Sequence, residues 1–155
     1  VAKLKQDFPA LHLVIVGSGD RHDALLQQAE LAGILDAVHF LGHRDDVEAC
    51  LAGMDLFVLP SLNEGMGRAL VEAMAAGLPV IMTDVGIAGE LLIDDLDGRV
   101  VSVGNEKALA EAILELKENP AKREEFKQNS LKLLEKWPTK KEYLDKYENS
   151  LMVLK

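Results

Sequence analysis

Two carboxylates eight positions apart, Glu64 and Glu72, flank a glycine-rich step, Glu64-Gly65-Met66-Gly67. An ionised carboxylate offers acceptors only, so it suits the paired hydroxyls of a cis-diol. On one straight helix the two would stand about 12 Å apart along the axis. That is too far for two carboxyls sharing one glycosidic bond. With Glu64 in the loop before a helix and Glu72 inside it, both can face one elongated ligand from different heights. The backbone N–H groups of Gly65, Met66 and Gly67 would then meet an anion, which the positive end of a helix favours. The same residues also fit a plainer reading. The glycines could serve only a tight turn that needs positive φ, and the glutamates could be ordinary surface residues at a helix start.

The elements that must position these groups are legible on either side. An apolar run, Asp55 to Leu59, stops at Pro60, and a helical stretch through Arg68, Ala69, Leu70 and Glu72 stops at Gly77. A second apolar run, Val80 to Thr83, follows Leu78-Pro79. Strand, glycine-rich turn, helix, glycine stop and strand is the punctuation of a βαβ unit. Elsewhere, apolar residues at 1, 4 and 8 predict a helix over Val1 to Phe8, closed by Pro9. Leu11 to Val16 reads as a buried parallel strand. Gly17-Ser18-Gly19-Asp20 turns into a helix with Ala24, Leu25, Ala29, Leu31 and Ala32 on its apolar side, and Gly33 ends it.

Val38 to Leu41 is the next predicted strand, Asp45 to Ala52 a short helix and Arg99 to Val103 a last strand. Thr83 to Glu90 is expected to end a strand and open another short helix. After Gly104, helical spacing among many Lys and Glu residues predicts two helices separated by Pro120. Trp137-Pro138 marks off a third that carries Tyr143, Leu144, Tyr147, Leu151 and Leu154. Strands and helices alternating at these lengths imply an α/β fold with a doubly wound, Rossmann-like parallel sheet and a helical tail over residues 105–155. Such sheets bind ligands at the carboxyl ends of their strands.

The segment from Glu64 to Val80 resembles the E-x7-E segment of family 4 retaining glycosyltransferases with the GT-B fold. Val14 to Gly19, Phe40-Leu41-Gly42, Asp55 to Pro60, Thr83 to Glu90 and Asp97-Gly98 sit at similar intervals, so the resemblance covers residues 10 to 104 or so. It implies the donor-binding, C-terminal domain of an enzyme that moves a sugar from a nucleoside diphosphate to an acceptor hydroxyl with the anomeric configuration kept. It implies Glu64 on a donor-sugar hydroxyl and Glu72 on the ribose hydroxyls, the two candidate catalytic residues. The donor site would further draw on Gly17, Gly19, Gly42, His43, Gly65, Met66, Gly67, Arg68, Ala69 and Leu70.

Met66 stands where that family usually has an aromatic residue. The G-x-G of Gly17 to Gly19 is by itself a weak phosphate signature, and a βα turn lining the cleft fits it better. His43 and Arg44 fit either base contact or a solvated loop, and Arg68 either a phosphate or a surface ion pair. The resemblance implies no metal and no cofactor beyond the nucleotide sugar as substrate. It also implies a partner N-terminal GT-B domain on the same polypeptide, without which this segment would be inactive. A strand and a basic loop precede the Val1 helix in that family. The chain also opens in mid-helix style without an initiator Met, as a fragment would.

Composition bounds the alternatives. The 155 residues suffice for one ordinary domain, and 48% of them are hydrophobic. No apolar run reaches the ~20 residues of a membrane span. A formal charge of −9 argues against a nucleic-acid partner and gives no support for anionic lipid. One cysteine, Cys50, cannot make an internal disulfide and fits a reducing, cytoplasmic compartment. Peripheral attachment to a membrane would belong to the absent domain. His12, His22 and His39 lack metal-ligand spacing. Two other readings fit the same residues: a non-catalytic nucleotide-binding module, and a flavodoxin-like interaction domain with purely structural glycines. A sugar-nucleotide epimerase is a further enzyme reading.

Overall fold

The computed structural model describes residues 1–65, 67–86 and 88–136. The expected third tail helix, from Trp137 onward, lies outside these residues. The chain opens with α1 (Ala2–Asp7), β1 (Leu13–Val16) and α2 (His22–Leu31). A 3-10 turn at Leu35–Ala37 leads into β2 (Val38–Gly42), and α3 (Val47–Ala52) and β3 (Phe57–Leu59) follow. Next come α4 (Arg68–Ala75), β4 (Val80–Thr83), β5 (Arg99–Val101), α5 (Glu106–Glu118) and α6 (Pro120–Glu135). Asn119 closes α5 and caps α6, its side chain accepting the Lys122 N–H. Pro120 takes the first helical turn, where a missing N–H costs nothing.

The strands form two parallel ladders. β1 pairs with β2 from Leu13 opposite Val38, and β3–β4–β5 march in order with Ile81 between Val58 and Arg99. β4, flanked by β3 and β5, is buried at all four residues, Val80, Ile81, Met82 and Thr83. β1 departs from the buried strand its sequence predicts. It starts at Leu13 and is half-buried throughout, because among the described residues it is laddered only to β2. The apolar side of α2 is likewise less covered than its spacing implies. Ala29 is buried, whereas Leu25 and Leu31 are exposed.

A second departure concerns the segment after β4. Among the described residues no helix lies between Thr83 and β5. The chain turns through Gly86 and Gly89, both at positive φ, and Ala88 bridges Leu92. Two left-handed residues three positions apart are incompatible with a right-handed helical turn.

The main core joins α4 to this three-stranded ladder. Leu70, Ala73 and Met74 are fully buried against Val80 and Met82, with Leu91 and Leu92 from the glycine turn. A second cluster packs Leu116 of α5 and Phe126 of α6 onto Ile81 and Val101. α4 is therefore fixed along its length, and its amino terminus emerges at the carboxyl ends of β3 and β4.

Candidate functional site

Pro60 breaks the ladder at the end of β3, and the chain then loops to Gly67. Gly67 is the N-cap of α4 with φ 60° and ψ 51°, a left-handed conformation that glycine adopts without steric cost. No side chain caps this helix, so its first N–H groups are not claimed by a local carboxylate or hydroxyl. An uncapped helix amino terminus at the carboxyl edge of a parallel sheet is a position for an anion.

Glu64 precedes that terminus and Glu72 lies one turn inside α4, as their spacing predicts. The Ser61 hydroxyl donates to Glu64 Oε2 at 3.2 Å and orients the carboxylate. Glu72 is partly exposed, and its Oε1 accepts from Arg68 Nη2 at 3.1 Å. Arg68 itself is almost fully solvated, so this i,i+4 pair contributes a few tenths of a kcal/mol at most.

The loop is held from the next strand. Thr83, buried at the end of β4, donates its hydroxyl to the Ser61 carbonyl at 2.6 Å, with Leu59 O at 3.3 Å. Gly86 packs its backbone against the carbonyls of Glu64 and Gly65. These two contacts escaped the sequence reading, which treated the Thr83 segment as a helix start. The readable signal was a hydroxyl residue closing a buried apolar strand, followed three positions later by glycine.

The other predicted residues divide. Gly65 is exposed with open space around its Cα, and Ala69 is exposed on the first turn of α4. Leu70 is fully buried in the core, and its N–H is taken by the Gly67 carbonyl. Its side chain belongs to packing. Met66 lies outside the described residues. Gly17 and Gly42 meet at the ends of β1 and β2, where the Gly17 N–H donates to the Gly42 carbonyl at 2.7 Å. That amide is therefore committed to the turn, as the plainer reading of Gly17 to Gly19 has it.

Gly19 stands in open space two residues on. His43 is exposed beside Asp45, and Arg44 makes a two-pronged bond to Asp46 at 2.8 and 2.7 Å. That bond holds the Asp46 carboxyl below its ordinary range. Among the described residues no hydrogen bond ties the Gly17–Gly42 corner to the Glu64 loop. Cys50 sits partly buried in α3.

Parallel strands, a glycine-rich loop and an uncapped helix start at their carboxyl ends define an α/β domain with its candidate site at the β3–α4 and β4 junction. Residues 1–133 match the family of glycosyl transferases group 1, and the chain belongs to that family. It is 34% identical over 122 residues to a phosphatidyl-myo-inositol mannosyltransferase of Mycobacterium leprae, covering 77% of this chain and 32% of the relative.

Among solved structures, Anabaena Alr3699/HepE in complex with UDP and glucose superposes with a TM-score of 0.77 at 32% identity. The match covers 82% of this chain and 36% of that one. TarM from S. aureus, in a complex that includes UDP, gives 0.87 at 26% identity over 96% of this chain and 30% of that one. The fold is thus that of one domain of a GT-B glycosyltransferase. The chain spans about a third or less of the length of the curated relatives it matches. Among the described residues no helix is long and apolar enough to cross a membrane.

Proposed function

We propose that the chain is the donor-binding domain of a retaining, family 4 glycosyltransferase that takes a nucleoside-diphosphate sugar. One observation carries this reading: the uncapped amino terminus of α4 stands between two carboxylates, Glu64 in the loop before it and Glu72 within it. The helix end and the amide of Gly67 suit a diphosphate, and the amide of Gly65 suits the sugar beside it. Glu72 suits a ribose cis-diol, since it brings two acceptor oxygens to two O–H donors. Glu64, oriented by Ser61, suits a hydroxyl of the sugar. The UDP complexes of Alr3699/HepE and TarM support a nucleotide donor.

In the transfer, the bond between the anomeric carbon and the diphosphate oxygen breaks and a bond to the acceptor oxygen forms on the same face. The acceptor proton passes to the departing phosphate. The domain contributes orientation and stabilises the charge that gathers on the leaving diphosphate. This charge stabilisation calls for no metal. Most of the acceptor site lies in a partner domain of the same polypeptide, without which this domain is inactive.

Calorimetric titration of the chain with UDP, GDP and ADP, each with and without EDTA, tests the reading. Saturable binding of one diphosphate, unchanged by EDTA, is expected. A folded sample that binds none of the three overturns it in favour of an interaction module.

A further inference from the structure

The segment that follows β4 braces the Glu64 loop at two points. Thr83 is 5% exposed, and its single hydroxyl proton goes to the Ser61 carbonyl at 2.6 Å. Three residues on, Gly86 has φ +57°, and a Cβ built there would lie 2.8 Å from the Gly65 carbonyl oxygen and nearer still to that of Glu64. Real Cβ atoms do not approach backbone oxygen so closely. Any side chain at 86 must therefore push the loop outward, besides being strained at that φ. Thr83 is anchored in the central strand of its ladder, and Gly86 follows on a turn begun by the Val85 N–H bond to the Thr83 carbonyl at 2.8 Å. One side of the loop is thus referenced to the most buried strand of the molecule. Glu72 is referenced separately, through the buried face of α4.

We propose that Thr83 and Gly86 are positioning residues that set the reach of Glu64 and Gly65, and thereby the recognition of the donor's sugar rather than its nucleotide. This rests on the donor-site reading above. The division follows from the two anchors: the loop carries the group assigned to the sugar, and α4 carries the group assigned to the ribose. Loosening the loop then costs the affinity added by the sugar and spares the affinity of the nucleotide.

The test compares the unaltered chain with Thr83→Val, Thr83→Ser and Gly86→Ala. Each is titrated with UDP and with UDP-glucose, or with the ADP or GDP pair if the titration above selects that base. Thr83→Val and Gly86→Ala are expected to weaken sugar-nucleotide binding by roughly 3- to 10-fold, the range of one lost hydrogen bond, with diphosphate binding within twofold. Thr83→Ser, which keeps the hydroxyl, is expected to restore the sugar increment. A parallel fall in both affinities, or no change in either, overturns the proposal.

Hydrogen exchange of the ligand-free variants supplies a second readout that does not depend on the donor reading. Faster exchange confined to residues 61–65, with β4 unchanged, supports the brace. Unaltered exchange in that loop overturns it even if the chain binds no nucleotide at all.

Discussion

Ser61 serves the loop through two different atoms: its hydroxyl donates to Glu64 at 3.2 Å and its carbonyl accepts from Thr83 at 2.6 Å. The Glu64 carboxylate is thereby linked to the central buried strand through one residue. Removing the hydroxyl leaves the Thr83 contact intact and frees only the Glu64 side chain. Ser61→Ala is expected to weaken sugar-nucleotide binding by about 2- to 10-fold while stability stays within about 0.5 kcal/mol. Isothermal titration alongside urea unfolding measures both.

Glu72→Gln tests the ribose assignment. Charge-assisted hydrogen bonds are worth about 1.5–3 kcal/mol, so nucleoside diphosphate affinity should fall by roughly 10- to 150-fold. The lost surface pair with Arg68 should leave the melting temperature nearly unchanged. An affinity equal to that of the unaltered chain would remove Glu72 from the ribose site.

Leu70→Ala separates packing from binding at a predicted site residue whose side chain is fully buried. The side chain fills the contact between α4 and β4, and its removal should cost about 2–5 kcal/mol of stability. Chemical denaturation gives the value directly. A loss under 1 kcal/mol would show that this core re-closes around the cavity.

Asp97 supplies a pH prediction. Burial raises its pKa above the usual carboxylate value, against the opposing hydrogen bond from the Ile93 N–H at 2.7 Å. The folded state therefore holds this proton more tightly than the unfolded chain. Its contribution to stability is fully present below the unfolded pKa and is lost as pH rises through the folded one. Asp97→Asn keeps the acceptor for Ile93 and removes the titration. The unfolding midpoint of the unaltered chain relative to the variant is expected to fall as pH is raised from 4 to 7. A constant difference across that range would discard the assignment.

Glu115 has the opposite sign. Burial pushes its pKa up, but hydrogen bonds from Lys122 and Arg99 outweigh that and hold it below the ordinary range. It opposes Asp97 in the overall profile, which is why the comparison is made against the single variant.

Much of the βαβ unit was legible before any coordinates. Pro60, Gly67 and Gly77 act through backbone rules that hold locally, so they marked the ends of β3 and α4 wherever the chain went. The run Val80 to Thr83, restarting after Leu78-Pro79, read as a strand. Glu64 and Glu72 were readable as a pair through their spacing and the resemblance to the E-x7-E segment. The same local logic failed where burial depended on a neighbour. Leu13 to Val16 is as apolar as β4 yet half-buried, since exposure follows from what lies alongside a strand and not from its own residues. Leu31 is a helical apolar residue left in solvent for the same reason.

The sequence by itself determined the parallel α/β character, the glycine-rich turn into α4 and the placement of two carboxylates around it. These follow from propensity, periodicity and glycine stereochemistry, which act within a few residues. Tertiary structure alone decided that Gly86 touches Glu64 and Gly65, that Thr83 holds Ser61, and that the Gly17 amide is spent on Gly42. Each of those joins residues about twenty or more positions apart, and such a contact exists only once the strands have set the distance between their ends.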